Sequence, residues 1–423
     1  MSLILIAYLV FLGAKTAAQL SLSWLNRREM LRHKDAVPAK YADHVKWEDY
    51  QKSVAYSLEN SKFSLLTKPY DVVWELLWVL GLYACIYAWA SQWIGLDAGT
   101  AGWSATWRES VICVAMIFLM SLTDLPLDLY ETFKIEEKHG FNKTTPRLWV
   151  FDQLKGWALE FIIGVPVASL LIGFYHLFPD TWWIFAQCAF FVIQLFLMVL
   201  YPKLILPLFN KLTPLPEGEL KTELVALAEK AGFVADKIEV IDSSKRSGHS
   251  NAYFSGFGKW RRIVLFDTLI KQLEPKEICA VLAHEIGHSK KGHITKHLFL
   301  SFFLGFLAFG LVAAILRWPA FFEAFGFEYR QNLMIVPAFF LVSEFASLIA
   351  FWISPLSAFL SRKHEYEADA YAKQLLGNGE ALVSGLRKLN KENLSNLTPH
   401  PFYVNFYYSH PTLEQRTKAL RSN

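Results

Sequence analysis

Seven apolar stretches, each long enough to cross a lipid bilayer, constrain this chain more than any other feature of its sequence. They lie at Ser2–Leu22, Val72–Ile94, Val111–Tyr130, Gly156–Phe178, Trp182–Ile205, His297–Trp318 and Leu333–Leu360. A helix of about 20 apolar residues spans the hydrocarbon core. No water is present there to satisfy the backbone, so each stretch must close its own hydrogen bonds as a helix. The composition agrees: 53% of residues are hydrophobic, and 34 Phe and 15 Trp exceed what a soluble domain carries. The first stretch has no basic segment before it and no small-residue cleavage site, and Arg27 and Arg28 follow it. It reads as a retained span rather than a cleaved leader. The formal charge of +4 is spread along loops, which argues against nucleic acid as a partner.

Basic residues set the expected orientation. Arg27, Arg28, Arg32, Lys34, Lys40 and Lys46 follow the first stretch, Lys134, Lys138, Lys143, Arg147 and Lys155 follow the third, and the polar 202–296 segment follows the fifth. The segments after the second, fourth and sixth stretches hold little beyond Arg108 and Arg330. The positive-inside rule therefore predicts an outer N-terminus and a cytoplasmic C-terminus. The expected organisation is 1–201 as spans one to five, 202–296 as a cytoplasmic loop, 297–360 as the last two spans, and 361–423 as a cytoplasmic tail.

Within the large loop stands His284-Glu285-Ile286-Gly287-His288. Pro275 suits a first helical position, and Ile278, Val281, Leu282 and Ile286 recur with helical period. Histidines four apart share a helix face and can hold one Zn2+ through their imidazoles. Glu285 is then placed to take a proton from a water activated at the metal. A catalytic zinc site needs a third protein ligand. A third histidine six residues after His288 is excluded, because position 294 is Ile. The run Ser361–Ala370 supplies Glu365, with Asp369 one turn on to orient a liganding histidine. Glu367, on another face, and Glu344, inside the last span, stay as weaker alternatives. The chain is expected to bind one zinc per molecule through His284, His288 and Glu365.

Here the chain resembles the type I CAAX prenyl proteases, integral-membrane zinc endopeptidases. The matches run in order through Ser53–Phe63, Ile135–Thr145, Leu206–Lys211, Lys245–Phe254, the His284–His288 helix with Lys291-Gly292-His293, Glu365–Asp369, and Ser409-His410-Pro411 with Arg416. The resemblance implies removal of the last three residues from prenylated peptides or proteins ending in C-a-a-X, and unprenylated C-a-a-X peptides are expected to be tolerated. It implies that Asn251 and Ala252 pair with the substrate backbone, beside strands read at Lys237–Ile241 and Arg262–Phe266. It also implies that His410 and Arg416 stabilise the tetrahedral intermediate.

The implied fold is an all-α multi-span membrane protein whose seven helices enclose a chamber, with a small cytoplasmic α+β zinc protease part of the gluzincin kind. Lys15, Glu75, Asp124, Asp128, Glu160 and Glu344 fall within the spans, where charges need a polar cavity or one another. The chain looks short beside the family's eukaryotic members, with a brief loop between its last two spans, which points to a prokaryotic member. Its membrane would be the plasma membrane in a prokaryote and the endoplasmic reticulum in a eukaryote.

Cys85, Cys113, Cys188 and Cys279 lie in apolar segments without paired spacing and are expected to be reduced and buried. His293 and His297 extend the histidine run, but no further carboxylate is spaced to join them around a second metal. Two other functions compete: a general membrane quality-control metalloprotease, and a transporter or receptor with a structural zinc. The second would need a fourth protein ligand and would leave Glu285 without a role.

Overall fold

The computed structural model describes residues 2–97, 99–100, 102–232, 238–255 and 262–422. Among these, seven helices are long and apolar enough to cross a membrane. Helix α1 is Leu3–His33 and α2 is Trp47–Leu77, which runs through a π turn into α3, Tyr83–Ile94. Helix α4, Gly102–Tyr130, also ends in a π turn, and α5 is Pro146–Leu177. Helix α6, Trp182–Leu200, continues through a third π turn into α7, Leu206–Phe209.

Most of these helices overshoot the apolar stretches that announce them, because their polar ends carry good stop and start signals. Thr145 Oγ1 accepts the Leu148 backbone N–H at 3.2 Å, and Pro146 sits where an N–H would go unused. Gly95 ends α3 in the left-handed region at φ 70°, which glycine enters without steric penalty.

Beyond α7 the chain forms β1 (Leu212–Pro214), α8 (Glu219–Lys230), β2 (Ile238–Ile241), β3 (Ala252–Ser255) and β4 (Arg262–Phe266). Lys237, expected to open β2, lies outside the described residues. The sheet order is β1-β2-β4-β3, with β2 parallel to β4 and β3 antiparallel to it. Strand β3 is therefore an edge. Helices α9 (Asp267–Gln272) and α10 (Pro275–Lys290) follow, and α11 (His293–Ile315) returns to the bundle. A short α12 (Pro319–Glu323) precedes α13, Ile335–Leu376. The tail adds α14 (Glu380–Glu392), α15 (Pro401–Tyr407) and α16 (Leu413–Arg421).

Two large cores result. One joins the spans through Tyr8, Trp78, Tyr83, Phe322 and Phe340. The other packs α10 between the sheet, α8, α13 and α14 through Leu265, Ile278, Leu282, Ile286 and Ala372. Helix α13 belongs to both, so the sheet-containing part is fixed to the bundle by one continuous rod. Several charges within the spans find polar partners: Lys15 lies 3.8 Å from Glu75, Tyr83 donates to Glu344 at 2.5 Å, and Trp149 Nε1 donates to Asp128 at 2.8 Å. The cysteines divide. Cys113 and Cys279 are buried, but Cys85 and Cys188 are exposed, since a span helix turns part of its apolar surface outward.

Candidate metal centre

The site is built on α10. Pro275 occupies its first turn, and the Glu277 carboxylate accepts the Glu274 backbone N–H at 2.8 Å. From there, apolar residues with helical spacing bury one face, which turns His284 and His288 toward α13. The approach is close: a Cβ on Gly287 would lie 2.9 Å from both Cα and O of Ala368. Only glycine lets the two backbones meet there.

That contact brings three donors together. His284 Nε2 and His288 Nε2 are 3.1 Å apart, and they lie 3.4 and 3.2 Å from the Glu365 oxygens. Tetrahedral ligands at the usual zinc distances sit about 3.4 Å from one another. Glu365 is 5% exposed, and its Oε2 is buried with no hydrogen-bond partner among the described residues, as expected of an atom that gives its lone pair to a metal. The residues present fit a zinc ion. Of the weaker third-ligand alternatives, Glu344 bonds Tyr83 within the bundle, and Glu367 turns to His293.

Both histidines are held from behind. His284 Nδ1 meets Asp369 Oδ1 at 2.8 Å. Asp369 in turn accepts Arg416 Nε at 2.9 Å and Nη2 at 2.6 Å. Burial disfavours the Arg416 charge, but Asp369 outweighs it and keeps the guanidinium more firmly charged than usual. His288 Nδ1 lies 2.9 Å from His293 Nδ1, and His293 Nε2 lies 3.0 Å from Glu367 Oε2. No carboxylate spaced near His293 in the sequence announces this second chain. Glu367 reaches it from another helix.

Glu285 points into a cavity of about 400 Å³ shared with Asn251, Ala252, His410 and Arg416. Burial pushes its carboxyl above the ordinary glutamate range. His410 Nε2 stands 3.4 Å from Glu365 Oε1, with the side chain 63% exposed. The Ala252 backbone N–H bonds to Asn251 Oδ1 at 2.8 Å, at the start of the edge strand.

Two family models cover almost the whole chain. Residues 26–211 match the CAAX prenyl protease N-terminal region with five membrane helices, and residues 214–423 match peptidase family M48. The chain belongs to the CAAX prenyl protease family. It is a zinc metallopeptidase of that type. CAAX prenyl protease 1 of Saccharomyces cerevisiae is 38% identical over 91% of this chain and 88% of its own length. The human CAAX prenyl protease 1 homolog is 34% identical over 100% of this chain and 95% of its own. The crystal structure of S. mikatae Ste24p superposes with a TM-score of 0.89 at 34% identity, covering 99% of each chain. The expectation of a prokaryotic member is not borne out. These relatives are eukaryotic, and the chain spans nearly all of their length, so shortness was a false cue.

Proposed function

We propose that the chain removes the C-terminal tripeptide from isoprenylated C-a-a-X proteins, in a site that faces the cytoplasm. The observation that carries this reading is the convergence of His284, His288 and Glu365 beside Glu285, in a cavity bordered by a strand edge that is unpaired among the described residues. His284, His288 and Glu365 would hold the zinc. Among the described residues no fourth ligand joins them, which favours a catalytic over a structural site. When bound, the ion supplies Lewis-acid polarisation of the scissile carbonyl and of the attacking water.

The chain's own residues do the rest. Asn251 and Ala252 align an extended peptide by backbone pairing at the free edge of β3. Glu285, kept basic by its partial burial, takes a proton from the attacking water and returns it to the departing amine. His410, exposed toward the cavity, donates to the developing oxyanion. Arg416 is committed to Asp369 by two bonds, so it acts by fixing the Asp369–His284 pair.

Incubating the purified chain with matched farnesylated and unfarnesylated C-a-a-X peptides, followed by mass spectrometry, tests the reading. Cleavage should fall on the carboxyl side of the modified cysteine and stop on adding a chelator. The farnesyl group should lower KM more than it changes kcat, because it adds buried apolar area away from the reacting bond. No cleavage of the farnesylated peptide, under conditions where an unrelated unfolded membrane protein is degraded, would replace this reading with quality control.

A further inference from the structure

At the end of the bundle that carries the catalytic part, a groove of about 740 Å³ runs between α5, the α6–α7 junction and the sheet. It is lined by Lys155, Lys203, Lys211, Lys245, Arg246 and Arg262, against two carboxylates, Glu239 and Asp242. The acids are already engaged. Glu239 accepts Arg262 Nη1 at 3.0 and 3.2 Å, and Asp242 Oδ1 accepts the Lys211 backbone N–H at 2.7 Å. Asp152, on α5 beside the groove, takes Arg246 through Nε and Nη2 at 2.8 and 3.1 Å and Lys155 at 3.2 Å.

Positive charge is left over. The Lys211 and Lys245 side chains are exposed and have no ion pair among the described residues. Arg246 Nη1 is buried without a hydrogen-bond acceptor among those residues. Leu208 in the groove wall, Leu154 and Leu204 next to Lys155 and Lys203 in the chain, and Phe151 one turn before Lys155 on α5 are all exposed. These side chains continue the apolar surface of spans α5 and α6–α7, so the groove sits where hydrocarbon gives way to water.

A soluble anion has no use for that apolar border, whereas an amphiphile matches both halves. We propose that the groove binds the phosphate-bearing headgroup of an anionic phospholipid, with its acyl chains lying along Phe151, Leu154, Leu204 and Leu208. The lipid would bridge the bundle and the sheet, and the proposal stands independently of which peptide the enzyme cuts.

The test uses the full chain, delipidated and reconstituted in nanodiscs of phosphatidylcholine with phosphatidylinositol, then read by native mass spectrometry. A retained phosphatidylinositol adduct is expected. Lys211→Ala with Lys245→Ala should weaken it about tenfold or more, since each interfacial cation contributes about a factor of five to anionic-lipid affinity. Lys211→Arg with Lys245→Arg should keep it. Both pairs should retain full zinc content, which separates a lost lipid from a lost fold. Equal adducts in wild type and the alanine pair, or equal retention of phosphatidylcholine, would overturn the proposal. Displacement of the lipid by inorganic phosphate alone would overturn it too, by marking a site for free anions.

Discussion

Glu285 is the residue on which the proposed chemistry turns, and because it is not one of the proposed ligands it is testable alone. Glu285→Ala should keep the fold and one zinc per chain by metal analysis, yet lose about 10²- to 10⁴-fold in peptide turnover. Turnover at the wild-type rate would rule it out as the base. The second residue-scale prediction concerns His288. With its Nε2 turned to Glu365 as a zinc ligand, its Nδ1 would carry the hydrogen and give it to His293 Nδ1. His293 Nε2–H then donates to Glu367. His293→Ala should therefore weaken zinc binding about 10- to 100-fold in a chelator competition, with Glu367→Ala following in the same direction. Unchanged affinity in both would make the chain of contacts incidental. His284, His288 and Glu285 were readable from spacing alone. The His293–Glu367 contact was not, because a separation of 74 residues carries no periodic signal.

At the scale of elements, the crossing of α10 and α13 decides whether a metal site exists. Gly287→Ala puts a methyl 2.9 Å from backbone atoms of Ala368, which cannot rotate away as a side chain can. The helices must separate, at roughly 1–3 kcal/mol. A lower denaturation midpoint together with reduced zinc content is expected, and full zinc with unchanged stability would show that the crossing tolerates the methyl. The sequence pattern marked Gly287 only as an unspecified position between the two histidines. It also ended the last apolar stretch at Leu360, whereas α13 continues to Leu376 and stops at Gly377, φ 84°. The extension is rich in Glu, Ala, Lys, Gln and Leu, which favour helix whatever solvent surrounds them. Hydropathy registers the change of solvent, not the end of the helix.

For the whole molecule, the proposed orientation places the catalytic part and the tail on the cytoplasmic side. In a cysteine-free background, needed because Cys85 and Cys188 are exposed, Lys230→Cys and Ser422→Cys should resist a membrane-impermeant thiol reagent in intact cells and react after permeabilisation. Labelling of either in intact cells would invert the topology.

The sequence by itself determined the seven spans and the family, and it singled out His284, His288 and Glu285 as the candidate zinc-binding pair with its base and Glu365 as a candidate third ligand. Each of these rests on local chemistry: apolar length, helical spacing, or an ordered run of motifs. Only the tertiary structure decided which side chains support them. It joined α10 to α13 at Gly287, set Arg416 on Asp369, brought Glu367 to His293, and gathered the basic groove from α5, α7 and the sheet. Those contacts join segments far apart in the chain, where what matters is how closely two backbones can approach, and no short-range pattern records that distance.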